Sequence, residues 1–155
     1  MTRINLLHAS LLTDQHLLAE YRELTRIPTN VRKQLLEISE FSLQHKVPPT
    51  YRLGTGHVTF FYDKMKYLYD RYTSLHKELK RRNFNLDKEL YRKYITLFKD
   101  FENTLLWKDY TPTEEALNII KERLNFKLSI KENWYNYYGV SITDKTSNYP
   151  RQLIC

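Results

Sequence analysis

The segment TPTEEALNIIKERLNFKLSI, residues 111–130, constrains the fold most, because it predicts a long amphipathic helix with its own start signal. Thr111 and Glu114 have the spacing of a capping box, and Pro112 falls at the first helical position, where its missing N–H costs nothing. Apolar residues then recur at helical spacing, at Leu117, Ile120, Leu124 and Leu128. With only three glycines and five prolines, the chain is poorly suited to the many tight turns of an all-β fold. We therefore expect an all-α fold.

The same periodicity recurs elsewhere, and further helices are predicted over residues 15–27, 31–38, 64–82 and 88–101. Thr13 or Asp14 can cap the first of these, and Pro28 is expected to kink or end it. Asp63 can cap the helix 64–82, and residues 45–57 are expected to form a loop. The prediction is a compact single domain of three main helices around one core, with long loops and an aromatic C-terminal segment.

Length and charge narrow the class of protein. The 155 residues suit one domain, and a net charge of +7 with a pI near 9.4 favours nucleic acid or another anionic partner. Cys155 is the single cysteine, so an intrachain disulfide is impossible and a reducing compartment is expected. No apolar run approaches the roughly 20 residues that a membrane helix needs. We expect a cytoplasmic protein.

The usual catalytic motifs are absent from the sequence. The five histidines have no recognised zinc spacing, and no acidic cluster suits a two-metal nuclease, so no catalytic metal is expected. The GTG at residues 54–56 is too short to cradle a phosphate and predicts a tight turn before the apolar run 58–62.

The beginning of the chain offers a different nucleophile. Thr2 follows Met1, and its small side chain favours removal of the initiator methionine. An α-amine titrates at about 7.7–8.0, so much of it is neutral at physiological pH and can form a Schiff base with an electrophilic carbon. Many proteins begin Met-Thr, so this feature acquires meaning only with a partner that supplies acid–base chemistry.

Glu23 is the candidate for that partner. In HLLAEYRELTR, residues 16–26, it stands between Arg22 and Arg26, with His16 upstream on the same helix. On spacing alone the simpler interpretation is an exposed carboxylate that balances two arginines. The sharper interpretation is a site that binds a polyanion and carries out proton chemistry on it.

Four blocks of the sequence resemble the phage-type pyrimidine-dimer DNA glycosylases, the family typified by endonuclease V. The blocks are MTRINL at 1–6, DQHLLAEYREL at 14–24, GHVTFFYDK at 56–64 and WYNYYG at 134–139. They occur in the family's order at nearly its spacing, and the resemblance covers most of residues 1–83 and 111–139. It implies a glycosylase-like domain over 1–139 with a polar extension over 140–155. Residues 84–110 fit the family poorly.

The resemblance implies a DNA repair glycosylase that also has AP lyase activity. Such an enzyme cuts the N-glycosyl bond of the 5′ pyrimidine in an ultraviolet-induced cyclobutane dimer and then breaks the strand by β-elimination. Thr2 would be the nucleophile through its backbone amine, after removal of Met1. Glu23 would stabilise the cationic sugar-like transition state and help remove the proton that drives elimination. No metal or other cofactor is implied, because the imine is itself the electron sink.

The resemblance also implies how the protein binds its partner, UV-damaged double-stranded DNA, as a monomer. The residues that would grip phosphates around the lesion are Arg3, Arg22, Arg26, Arg123 and Lys127, and His16 would lie in the pocket. Trp134 and Tyr137, with their neighbours Tyr135 and Tyr138, are candidates for contacting DNA, and packing against the helices explains them equally well.

Two other interpretations of the sequence stay open. The first is a non-catalytic basic helical protein that binds DNA and turns nothing over. The second is a metal-dependent nuclease, which the missing ligand clusters disfavour. Borohydride trapping separates all three interpretations, because only an amine-based lyase leaves a covalent adduct between protein and DNA.

Overall fold

The computed structural model describes residues 3–154, so the predicted nucleophile Thr2 lies outside the described residues, as do Met1 and Cys155. The prediction of an all-α fold is confirmed. The helices are α1 (Asp14–Leu24), α2 (Arg26–Gln34), α3 (Glu40–Gln44), α4 (His57–Phe60), α5 (Met65–Arg81), α6 (Lys88–Lys99) and α7 (Glu114–Ile130). The described residues also contain a two-stranded antiparallel ribbon, in which β1 (Asn136–Tyr137) pairs with β2 (Val140–Ser141).

The boundary between α1 and α2 differs from the prediction. Thr13 does cap α1, and its hydroxyl oxygen accepts a hydrogen bond from the backbone N–H of His16 at 3.2 Å. However, the helix is interrupted at Thr25, which connects α1 to α2 and has a right-handed helical backbone conformation. Pro28 neither kinks nor ends a helix, because it lies in the first turn of α2, where a missing N–H is tolerated. Helix α2 then ends at Gln34, before the predicted limit.

Two predicted helix caps are wrong. Helix α7 begins at Glu114, and Thr113 rather than Thr111 is its cap, with the Thr113 hydroxyl oxygen accepting from the N–H of Ala116 at 3.1 Å. The pair Thr111 and Glu114 therefore forms no capping box. Helix α5 begins at Met65 without a side-chain cap, because the carboxylate of Asp63 accepts a hydrogen bond from the Lys64 ammonium at 2.9 Å instead.

One hydrophobic core joins the long helices. Helix α1 packs mainly on α5, and α6 also packs on α5. The apolar stripes predicted for α1, α5 and α7 face this core through Leu17, Leu24, Leu68, Tyr72, Leu75, Ile120 and Leu124. A smaller cluster of Leu128, Tyr135 and Ile142 connects the end of α7 to the aromatic C-terminal segment.

The C-terminal residues 140–154 follow the aromatic segment back onto the main fold. Ile154 is buried in the main core, and the Asn125 side chain donates a hydrogen bond to its carbonyl at 3.0 Å. The division into a domain over 1–139 and an extension stays a prediction. Among residues 3–154, no helix combines the length and the apolar character needed to cross a bilayer.

Candidate active site

The first described residues of the chain are held by buried side chains from three other elements. The backbone N–H of Ile4 donates to Nε2 of His57 at 2.9 Å, and the carbonyl of Ile4 accepts from the Tyr51 hydroxyl at 3.0 Å. The next N–H, of Asn5, donates to the Glu20 carboxylate at 3.0 Å. We call Glu20, Tyr51 and His57 the N-terminal clamp. Because each of these groups is buried, the backbone of residues 4–5 has one well-defined position.

Helical spacing alone would place Glu20 with His16, Glu23 and Arg26 on the polar side of α1. The side chain of Glu20 is buried instead and pairs with Arg71 of α5, with 3.0 Å between Oε1 and Nη2. Arg71 also donates a hydrogen bond to the carbonyl of Leu7. Burial acts to lower the pKa of Arg71, but the charge and hydrogen bonds of Glu20 outweigh it and raise the pKa. Glu20 is thus a buried structural carboxylate.

The hydrogen bonds of His57 define its protonation state. Nε2 accepts from Ile4, so the proton resides on Nδ1, which donates to the carbonyl of Arg52 at 2.8 Å. Burial lowers the pKa of His57 to about 4 and outweighs the hydrogen bond to Arg52, which raises it; the positive charges of Arg3 and Arg123 lower it further. His57 is therefore neutral at physiological pH and suited to accept from Ile4.

Glu23, Arg3 and Arg123 come together from three separate parts of the sequence. Glu23 is a partly exposed residue near the end of α1, Arg123 lies on α7, and Arg3 opens the described chain. Burial and the charge of Arg3 lower the pKa of Arg123, whereas the charge of Glu23 acts to raise it. Both residues are thus close enough to Arg123 to interact with it electrostatically. The structure brings these three predicted site residues into one cluster.

His16 and Lys127 adjoin the same cluster. The ring of His16 stacks on Tyr135 with 4.7 Å between centroids and 18° between planes, and its Nδ1 lies 2.9 Å from the hydroxyl oxygen of Thr13. Burial lowers the pKa of His16 to about 4, helped by the charges of Arg123 and Lys127. His16 is therefore a neutral aromatic and hydrogen-bonding group here, and the cations beside it come from α7.

The remaining predicted residues differ in how exposed they are. Arg22 and Arg26 are exposed, at the end of α1 and the start of α2. Trp134 is 59% exposed and meets Tyr135 edge to face, with 5.1 Å between ring centroids. Tyr137 is more strongly tied to the fold: its hydroxyl donates to the carbonyl of Ser10 at 2.7 Å, and the Arg82 guanidinium lies 4.7 Å from its ring centroid. Trp134 is thus freely accessible, and Tyr137 is only partly so.

The sequence interpretation missed the N-terminal clamp. His57 belongs to the block GHVTFFYDK, which supported the resemblance, but no role was assigned to it. Tyr51 lies in the segment predicted as a loop, and nothing in its neighbourhood indicates a buried hydrogen bond to Ile4. Glu20 repeats the polar spacing of its neighbours, and only its contact with Arg71 distinguishes it.

The cluster combines one accessible carboxylate with a surrounding group of cations. Such an arrangement can bind a polymer of phosphates and can stabilise positive charge that develops on a bound sugar. Within the range 3–154, no group of three or more His, Cys, Asp or Glu side chains is placed to share a metal ion. The side chains of the cluster can contribute electrostatic stabilisation and proton transfer.

Comparison with known families agrees with the resemblance seen in the sequence. A family model described as pyrimidine dimer DNA glycosylase matches residues 1–92, which is more than half of the chain. The matched region contains Arg3, His16, Arg22, Glu23 and Arg26, together with the three residues of the N-terminal clamp. It ends inside α6, so Arg123, Lys127 and the aromatic C-terminal segment lie beyond it.

Proposed function

The chain belongs to the pyrimidine dimer DNA glycosylase family, and we propose that it excises cyclobutane pyrimidine dimers from UV-damaged duplex DNA and then cleaves the abasic strand as an AP lyase. Family membership supports the glycosylase activity and the DNA substrate. The lyase step and the nucleophile are the finer part of the proposal. The protein would act as a monomer in the cytoplasm, without a cofactor.

In the proposed reaction, the α-amine of Thr2, freed by removal of Met1, attacks C1′ of the 5′ nucleotide of the dimer. The bond between C1′ and the pyrimidine nitrogen breaks, and the pyrimidine takes its electron pair and a proton. Ring opening gives an imine between the amine nitrogen and C1′. Loss of a proton from C2′ then expels the 3′ phosphate, and water hydrolyses the imine to regenerate the amine. This assignment to Thr2 rests on the resemblance.

Glu23 would serve both halves of this reaction. Its carboxylate would stabilise the positive charge that develops at C1′ as the base departs. It would then accept the proton from C2′ that drives elimination. Arg3, Arg123 and Lys127 would neutralise the phosphates on either side of the damaged nucleotide. His16, which stays neutral, would contribute a hydrogen bond or packing rather than charge.

The observation that carries this proposal is the family match over residues 1–92, which includes both the start of the chain and Glu23. The charges of Arg3 and Glu23 both act on the pKa of Arg123, which supports their proximity. Arg3 is the residue bonded directly to the proposed nucleophile, so the carboxylate and the beginning of the chain share one cationic neighbour. The N-terminal clamp adds support, because it fixes the backbone of the two residues that follow Arg3. Positioning of this kind is worth several orders of magnitude in rate when reacting groups are held near one another.

Borohydride reduction during turnover tests the proposal. We expect a covalent adduct between the protein and UV-irradiated duplex in the presence of EDTA, and none with the same duplex before irradiation. Lesion binding without an adduct would contradict the proposal and support a non-catalytic DNA-binding protein. Strand cleavage that EDTA abolishes, again without an adduct, would instead indicate a metal-dependent nuclease.

A further inference from the structure

Two large apolar side chains on α7 are exposed to solvent. Phe126 is 62% exposed and Ile130 is 54% exposed, and neither belongs to the main core or to the smaller cluster at the end of α7. They are four residues apart, which makes them neighbours on the helix surface. We call them the apolar pair. The buried residues of α7 lie on another face of the helix, so the packing of the fold does not account for the apolar pair.

The apolar pair shares a face of α7 with two cations of the candidate active site. At 3.6 residues per turn, Ile130 lies about 20° around the helix from Arg123 and about 10 Å along its axis. Phe126 lies about 60° around the helix from Arg123 and precedes Lys127 directly. After burial, the charges of Arg123 and Lys127 are the causes that lower the pKa of His16. This face of α7 is therefore adjacent to the candidate site residues on α1.

The surroundings of the apolar pair also suit a polyanion. Trp134, one of the predicted DNA contacts, is 59% exposed and comes four residues after the pair ends. Two carboxylates are near in the sequence. Glu132 pairs with Arg151 at 2.7 Å, and Glu122 lies beyond the pair on the side away from Arg123. The pair thus has cations on one side and an exposed tryptophan after it.

Double-stranded DNA fits this surface better than a second protein does. A specific protein complex buries about 800 Å² on each partner, far more than two side chains can supply. In a complex with DNA, phosphate contacts supply much of the affinity, so a small apolar surface can still make a specific contact. Phe and Ile are among the apolar side chains that proteins insert between base pairs. A damaged base pair is the least costly to unstack, which favours such contact at the lesion.

We propose that the apolar pair is a wedge that packs against base faces at the step next to the dimer, while Arg123 and Lys127 contact the phosphates on that side. The contact favours damaged DNA without reading base edges, because an intact step resists unstacking. Both residues of the pair lie beyond the family match, which ends at residue 92. The inference rests on the proposed function in taking damaged duplex as the ligand.

The test compares two double variants that each remove one exposed phenylalanine and one exposed aliphatic side chain. The wedge variant is Phe126→Gln with Ile130→Gln. The control variant is Leu36→Gln with Phe41→Gln, because Leu36 is 85% exposed, Phe41 is 63% exposed, and neither lies on α7. All four side chains are exposed and uncharged, so both variants should keep the thermal stability of the wild type.

Affinity is measured for a dimer-containing duplex and for the same duplex without the dimer, across a salt series. We expect the ratio of the two affinities to fall about tenfold in the wedge variant, which is the size of a lost stacking contact. Affinity for the undamaged duplex should stay the same. The slope of log affinity against log salt should also stay the same, because no charge is removed. The control variant should follow the wild type in all these measurements.

A fluorescent adenine analogue reports on stacking directly, because its emission rises when neighbouring bases unstack from it. The analogue is placed beside the dimer, on the 5′ side in one duplex and on the 3′ side in another. Stopped-flow mixing records the emission before excision. The wild type and the control variant should raise the emission at one of the two positions, and the wedge variant should raise it much less.

Equal affinity ratios for the wedge and control variants would overturn the inference, as would equal emission at both positions. Self-association of the wild type that only the wedge variant loses would assign the apolar pair to a contact between copies and would also overturn it. These results leave the proposed function intact if the wild type forms the borohydride adduct. Conversely, a wild type that forms no adduct, but shows a lesion preference that the wedge variant loses, would retain the wedge and reject the lyase. A wild type with no preference for the dimer would overturn both.

Discussion

The N-terminal clamp and the cationic surface around Arg22 and Arg26 use the same kinds of charged and polar residues in opposite ways. In the clamp, every acidic or imidazole group is buried and meets a defined partner, as in the contact of Glu20 with Arg71 and Asn5. On the surface, Arg22 and Arg26 are exposed and belong to no ion pair among the described residues. One region fixes geometry, and the other is available to bind an anion.

This difference separates two kinds of effect that substitutions should produce. Changes in the clamp should alter the stability of the fold or the rate of the chemical step, with little dependence on salt. Changes on the cationic surface should alter DNA affinity and its salt dependence, with little effect on stability, because exposed charges contribute little to folding. Glu23 stands between the two regions and should affect neither stability nor salt dependence.

Glu23→Gln should have the largest effect. The amide keeps the shape of the side chain but cannot stabilise a cation as a carboxylate does, and it cannot accept the C2′ proton. We expect excision to fall by at least about 10³-fold, close to 4 kcal/mol of transition-state stabilisation. Lesion binding, measured by gel shift, should remain. The matched variant Glu37→Gln changes another exposed carboxylate, past the end of α2, and should retain activity. Joint loss of binding and turnover would make Glu23 a structural residue.

Arg71→Met, which removes the ionic partner of the clamp residue Glu20, should be the most destabilising change. It leaves the buried Glu20 carboxylate without its ionic partner, a situation that costs about 3–5 kcal/mol. Urea unfolding followed by circular dichroism measures this loss. Arg81→Met is the control, because it breaks an ion pair with Glu78 whose arginine is exposed, and it should cost less than about 1 kcal/mol. Similar losses of stability in the two variants would show that the buried ion pair of Arg71 and Glu20 stabilises the fold no more than the pair of Arg81 and Glu78 does.

Two neutral histidines, His16 and His57, should also make the stability depend on pH. The pKa of His16 and of His57 is about 4 in the fold, whereas an unfolded histidine titrates near 6.5. Above pH 6.5 both states are neutral and the stability is complete. As the pH falls toward 4, only the unfolded chain binds protons, so each histidine lowers the free energy of unfolding by up to about 1.4 kcal/mol per pH unit.

Comparison of His16→Gln with the wild type isolates the contribution of His16. The other titrating groups are the same in both proteins, so their contributions cancel in the difference between the two free energies of unfolding. In urea titrations between pH 6.5 and pH 4, the variant should lose roughly half of the histidine-dependent slope. Parallel curves of unfolding free energy against pH for variant and wild type would mean that His16 binds its proton equally well in the folded and unfolded states. That result would contradict its assignment as a neutral group in the fold.

Tyr51→Phe should have a smaller effect that is specific to the chemical step. It removes only the hydroxyl that donates to the carbonyl of Ile4. Tyr21→Phe is matched to it, since it removes a buried hydroxyl bonded to His76 within the core. Each variant should lose about 1 kcal/mol of stability. Only Tyr51→Phe should also slow single-turnover excision, by about fivefold to tenfold at unchanged affinity. Equal rates in the two variants would remove Tyr51 from the positioning of the N-terminal segment.

Arg26→Gln should have the smallest effect, confined to DNA binding. It removes an exposed cation, so we expect a decrease of about 0.9 in the slope of log affinity against log salt, with thermal stability unchanged. Lys77→Gln on α5 provides a control for the loss of one exposed positive charge elsewhere. A slope equal to that of the control would exclude Arg26 from the phosphate contacts.

The sequence predicted the helices better than it predicted their ends. Periodic apolar residues located α1, α5, α6 and α7, because helical spacing is a local property that burial then reinforces. The wrong cap at Thr111 shows the limit: three threonine or proline residues precede Glu114, and which of them begins the helix depends on where α7 packs. The short ribbon of β1 and β2 has no comparable periodicity, and it was not anticipated.

The candidate site was predicted from the resemblance and not from local sequence patterns. Glu23, Arg3 and Arg123 are separated by up to 120 positions in the chain, so no local pattern could have joined them. Glu20 and Glu23 look alike in the sequence, and only the position of Arg71 on α5 decides that one is buried and the other accessible. The contacts that fix residues 4–5 depend on tertiary structure in the same way.

The location of the covalent adduct tests the central claim most directly. Protein reduced with borohydride on irradiated duplex is digested, and mass spectrometry identifies the modified peptide, alongside the intact mass of the untreated protein. The account predicts that Met1 is absent and that the adduct is on the α-amine of Thr2. An adduct on an internal lysine such as Lys127, or full activity in protein that retains Met1, would contradict it.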